Sequence, residues 1–152
     1  MATPYEWLNE FQVNTGTAAT GSQYQPKILG LSNGNILVAW VEASDGAIAT
    51  SAGTDIVGKI YDAEGNLVRD AYRLNFSYHI DDERDFDLAA TNDGGFIMVY
   101  VDDDIANVNE TAIVWERYDG DGERTHVNKI VSEIVAADFY ANPQVAVNVA
   151  TK

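Results

Sequence analysis

Twenty-four of the 152 residues are Asp or Glu, and some of them are spaced to do chemistry. Asp119-Gly120-Asp121-Gly122-Glu123 sets carboxylates at i, i+2 and i+4 in a glycine-rich turn. Calcium takes roughly six to eight hard oxygens, and carboxylates at that spacing can point at one ion. Asp102-Asp103-Asp104 follows an apolar run, and Asp81-Asp82-Glu83-Arg84-Asp85-Phe86-Asp87 precedes another. Adjacent aspartates repel unless an ion or water screens them. The candidate metal ligands are therefore Asp119, Asp121, Glu123, Asp102, Asp103 and Asp104, with calcium as the cofactor. The turn is not an EF-hand, because Arg124 stands sixth where that loop needs glycine. A plainer reading competes: Asp62, Glu64 and Asn66 occupy the same places in an earlier turn, as a solvated hairpin would.

Other chemistry is thinly supplied. Cysteine is absent, which removes disulfides, thiolate metal sites and a thiol nucleophile. Two histidines, His79 and His126, leave little for zinc, and any Ser–His–Asp triad would have to use one of them. There is no Gly-x-Ser-x-Gly elbow, no His-Glu-x-x-His and no phosphate-cradling glycine loop. Paired carboxylates for glycoside hydrolysis exist in number, but none is singled out. The expectation is a protein that is not an enzyme. Among the aromatics, Trp40 and Tyr100 end apolar runs and read as core. Trp115 matches Gly58 in the repeat described below, so it is not a required core position. It is the candidate ligand-binding residue, able to stack on a sugar ring. Tyr24, Tyr78 and Tyr140 lie in loops, where binding is conceivable.

Charge narrows the partners. Nine Lys and Arg against the 24 acids leave a formal charge of −15. Nucleic acid needs clustered cations and is not expected as a partner. An anionic membrane surface would be repelled. The apolar runs are too short to span a bilayer as a helix, so no membrane insertion is expected. No basic start followed by an apolar core marks a signal peptide; two alternatives stay open, that one has been lost or that the parent is exported another way. A hydrophobic share of 46% argues against disorder, and a chain of this length can bury a real core.

The elements that must position these residues are repeated. Leu31-Ser32-Asn33-Gly34-Asn35-Ile36-Leu37-Val38-Ala39-Trp40-Val41-Glu42 matches Thr91-Asn92-Asp93-Gly94-Gly95-Phe96-Ile97-Met98-Val99-Tyr100-Val101-Asp102 at an offset of 60. Ile60-Tyr61-Asp62-Ala63-Glu64-Gly65 matches Arg117-Tyr118-Asp119-Gly120-Asp121-Gly122 at 57. Each unit reads as four strands. In unit one they are expected at about 26–31, 36–42, 56–61 and 67–74. In unit two they are expected at 86–91, 96–102, 112–118 and about 124–131. The unbroken apolar runs at 36–42 and 96–102 imply central strands buried on both faces. Phe11-Gln12-Val13-Asn14 matches Tyr72-Arg73-Leu74-Asn75, and Pro143-Gln144-Val145 matches Pro26-Lys27-Ile28.

The organisation expected is therefore all-β. It has a last strand at 7–14, unit one at 24–75, unit two at 84–132 and the first strand of a third unit at 142–149. The four-stranded antiparallel units are propeller-blade-like; the alternative is a β-sandwich. A weak helical spacing of Ile130, Ile134 and Ala137, with Ser132 as cap, competes with a loop there. Open strands at the two ends predict a homo-oligomer formed through terminal edge strands.

The phrases Phe11-Gln12-Val13-Asn14-Thr15, Leu31 to Trp40 and Lys59-Ile60-Tyr61-Asp62-Ala63-Glu64-Gly65-Asn66 resemble the tandem propeller-like repeats of large bacterial secreted proteins of the RTX and type I secretion class. The resemblance covers nearly the whole chain. Unit two departs from it at Tyr100, Phe86 and Leu74-Asn75-Phe76, and the glycine-rich calcium nonapeptides of RTX proteins are absent. The resemblance implies an extracellular, cell-surface or secreted module, usually non-catalytic. The first reading adds to it calcium and a glycan or surface-protein partner. The alternatives are a purely structural spacer and a fragment of a carbohydrate-active propeller enzyme. Against the last, Ser32-Asn33-Gly34 does not follow the Ser-x-Asp-x-Gly-x-Thr-Trp box of sialidase-type propellers.

Overall fold

In the computed structural model, residues 9–43, 48, 53–75, 82–103, 111–129 and 141–148 are described. They are all-β apart from one 3-10 turn at Gly16–Ala19. The strands are β1 Gln23–Gly30, β2 Ile36–Glu42, β3 Asp55–Tyr61, β4 Leu67–Arg73, β5 Glu83–Ala90, β6 Phe96–Asp102, β7 Ala112–Tyr118 and β8 Arg124–Lys129. They form two four-stranded antiparallel sheets, ordered β1-β2-β3-β4 and β5-β6-β7-β8. The expected bounds of β2, β6 and β7 coincide with the observed ones. The two layers meet in a sandwich-like stack, and no closed barrel forms among the described residues.

β1 and β5 begin three residues earlier than expected, because each carries a bulge. The register slips between Tyr24 and Lys27 in β1, and between Arg84 and Asp87 in β5. Gln25 and Asp85 sit there in the left-handed region, at φ 51° and 49°. Asn142, at the matching place in the terminal stretch, has φ 50°. Residues 9–14 and 141–148 lie outside both sheets. Their expected pairing as strands has no neighbour among the described residues to complete it. The possible helix around 130–137 lies outside the described residues.

The sheets pack by unlike faces. The main core joins Leu37, Ala39 and Val41 of β2 to Phe96, Met98 and Tyr100 of β6. In the repeat, however, Leu37 corresponds to Ile97 and Phe96 to Ile36. Sheet one thus offers one face and sheet two offers the opposite one. Polar pairs lock the register between units: Lys27 Nζ meets Asp87 Oδ1 at 2.8 Å and Gln25 Nε2 donates to Asp85 Oδ1 at 3.3 Å, each across 60 residues. The Ser32 hydroxyl donates to the Thr91 carbonyl at 2.7 Å and accepts the Gly94 N–H at 3.0 Å, so the equivalent turns bond to one another.

Trp40 is core, 4% exposed in a second cluster with Ala18 and Val57. Two-sided burial of β2 is incomplete: Ile36 and Val38, on the face away from sheet two, are only half-buried. The N-terminal residues cover that face in part, through Val13 and Ala18.

Candidate functional site

The hairpin after β7 is built by its first aspartate. Asp119 Oδ1 accepts the backbone N–H of Asp121 at 3.1 Å and of Glu123 at 2.8 Å. Asp62 does the same after β3, accepting from Glu64 at 3.0 Å and Asn66 at 2.7 Å. The Asn66 side chain, more than any other group, holds the Asp62 carboxyl below the usual aspartate range. Asx-type turns of this kind satisfy the loop's own backbone. Glu123 turns to sheet one, where Arg69 Nη1 meets its Oε1 at 2.7 Å and the Asp121 carbonyl at 3.1 Å. Asp119, Asp121 and Glu123 are neighbours in a loop whose polar atoms hold the turn and tie the two units.

The second acidic group divides at the end of β6. Asp102 is 2% exposed, while Asp103 accepts two bonds from Arg84, Nε to Oδ2 and Nη2 to Oδ1, both at 2.8 Å. The Asp103 bonds are the main cause of the raised Arg84 pKa. Asp104 lies outside the described residues. Among the described residues no group of three or more His, Asp and Glu side chains is arranged to hold a metal ion. Trp115 is half-buried in β7, on the outer face of sheet two, in register with Val99 and Asn128.

Sequence reasoning missed the burial of four acids. Glu42, Asp55, Glu83 and Glu116 are fully buried. Glu42 faces Asp55 across β2 and β3, and Glu83 faces Asp102 across β5 and β6. Asn75 joins the units at this end. Its amide nitrogen donates to Asp55 Oδ1 at 2.7 Å and Glu83 Oε2 at 2.8 Å, one hydrogen to each, while its oxygen accepts the Ile56 N–H at 2.8 Å. Arg73 Nε stands 3.9 Å from Asp55. The only signal in the sequence was the acid closing each second strand, Glu42 and Asp102.

Glu116 forms a separate group in sheet two. It accepts from the Tyr100 hydroxyl at 3.0 Å, contacts the Tyr118 hydroxyl at 2.8 Å and lies 3.6 Å from Arg124 Nη1. Tyr118 also bonds the Leu74 carbonyl of sheet one. Burial first, and the Glu116 carboxylate second, push both tyrosine hydroxyls well above their ordinary value, so neither is a base near neutral pH. These networks join strands and units.

No protein-family model matches the chain, and no curated protein or solved structure matches it either.

Proposed function

We propose that the chain is a non-catalytic repeat module of a secreted or cell-surface bacterial protein, of the propeller-like class it resembles, whose sheet faces bind a glycan or a protein partner. One observation carries the reading. Asp119 and Asp103 are engaged within their own unit and Asp87, Glu123 and Glu83 in joining the two units, while the apolar face of sheet one around Ile28, 74% exposed, remains open. Large exposed apolar patches on folded domains mark interaction surfaces. Trp115 supplies the aromatic platform for a sugar on the other outer face.

The test is a panel of immobilised glycans scored for both retention and product formation, run with calcium and with a chelator. Retention without turnover, weakened in Trp115→Ala, is the expected outcome. Product formation would overturn the reading in favour of a carbohydrate-active enzyme. Retention lost on chelation would assign the bound glycan a calcium requirement.

A further inference from the structure

The open face of sheet one has a covered counterpart within the same chain. Ile28, Ile36, Val38 and Trp40 stand where Leu88, Phe96, Met98 and Tyr100 stand in sheet two, 60 residues on. In sheet two, Phe96, Met98 and Tyr100 are fully buried against sheet one. In sheet one, Ile36 and Val38 are half-buried and Ile28 is exposed. They line an open groove of about 650 Å³ with Phe11, Val13 and Tyr61. Trp40 lines an adjoining hollow of about 330 Å³, and its buried indole N–H has no hydrogen-bond acceptor among the described residues.

The internal interface shows what fits such a face. Its occupant in sheet two is the opposite face of a sheet like itself, built from Leu37, Ala39, Val41 and Ile56. One strip of that arrangement is already reproduced on sheet one. The Phe11 ring meets Tyr61 edge-on at 5.4 Å, in the places that Tyr72 and Tyr118 hold in the next unit. Asn14 Nδ2 donates to Gln23 Oε1 at 3.0 Å, as Asn75 Nδ2 donates to the equivalent Glu83 Oε2 at 2.8 Å. Residues 11–14 therefore take the place of a preceding unit's last strand, and the rest of that unit's face is not supplied by the described residues.

The chain carries such a face at its other side. Ile97, Ile113 and Trp115 of sheet two, half-buried, are the counterparts of Leu37, Ile56 and Gly58, while Val99 and Val101 between them on that face are buried. Joined unlike face to unlike face, copies form a head-to-tail contact, which generates a ring or a filament. We propose that the open face of sheet one binds the outer face of sheet two of a second copy of this chain. Residues 11–14 and 141–148 hold the strips that β8 and β1 of the neighbouring copies require. Among the described residues their polar attachments are Asn14 to Gln23 at one side and Val145 N–H to Asp87 Oδ2, 3.0 Å, at the other, beside the packing of Phe11 and Val13, and in the proposed contact they give way. The contact is of faces, not of strand edges.

The inference rests on the repeat-module part of that reading and not on its glycan, so a chain that assembles and retains no glycan loses the glycan alone. The experiment is sedimentation velocity on the full chain from micromolar to millimolar concentration, with two face-blocked variants, Ile28→Glu and Ile97→Glu. Circular dichroism first establishes that each variant keeps the native β spectrum. The wild-type mass should rise with concentration, and each variant alone should remain a single chain. An equimolar mixture should form a two-chain complex and stop there, because each variant keeps the face the other has lost. A wild type that stays monomeric, variants that associate alone as wild type does, or a mixture that stays monomeric would each overturn it. The second of these outcomes would assign assembly to edge pairing instead.

Discussion

Gly34 and Gly95 lie in equivalent turns and need glycine for different reasons. Gly34 has φ +93° with nothing within 4 Å of a built Cβ, so Gly34→Ala bears only the left-handed backbone penalty, about 1–2 kcal/mol. Gly95 needs space: its Cβ would stand 2.1 Å from the Tyr118 carbonyl oxygen. Because that obstacle is backbone, Gly95→Ala should lose about 4 kcal/mol or more, the exceptional range for one substitution. Urea unfolding of the two variants decides it, and equal losses would mean that β6 enters its sheet no closer to β7 than β2 does to β3. Asn75 offers a second measurement. Asn75→Ala strips a donor from each of two buried carboxylates, so about 3 kcal/mol should be lost. A loss below about 1 kcal/mol would show that neither carboxylate depends on the amide.

Among the elements, β1 and β5 meet where the two sheets touch, and Lys27–Asp87 is their ion pair. Burial is the largest influence on Asp87 and opposes its ionisation. Lys27 and the N–H groups of Val145 and Leu88 together outweigh it and hold the carboxyl below the ordinary value. A lowered folded pKa stabilises above the unfolded value, about 3.9, and the contribution disappears as the pH falls through the lower folded value. Asp87→Asn should therefore be less stable than wild type at neutral pH, and the gap should close on acidification below about pH 4. Melting curves across that range check it; a constant gap would remove the ion pair as cause. Which strands exist was legible from apolar runs bounded by turn signals, as at Ile36–Glu42 and Phe96–Asp102. The bulges at Gln25 and Asp85 were not, because a left-handed Gln or Asp leaves no mark in hydrophobic periodicity.

For the whole molecule, a charge of −15 makes self-repulsion a general load on the folded state. Sodium chloride should raise the melting temperature by screening. With Glu123 bound to Arg69 and Asp103 to Arg84, calcium at equal ionic strength should add no further shift. A larger calcium shift, removed by Asp103→Asn or Asp119→Asn, would establish the metal site the acidic spacing suggested.

The residue order alone determined the repeat, the four strands of each unit and the burial of Trp40 and Tyr100, because these follow from local apolar runs, turn chemistry and self-similarity within the chain. It also named the acids whose spacing suited calcium. Only the tertiary structure decided where those acids go: Asp119 to its own backbone, Glu123 to Arg69 and Asp103 to Arg84. It alone showed that unlike faces meet, since the offset of 60 equates residues without saying which face of one unit touches which face of the next. The buried acids Glu42, Asp55, Glu83 and Glu116 were hidden for the same reason. A carboxylate is placed in a core by partners distant in the chain, such as Asn75, Arg73 and Arg124, and no local pattern records them.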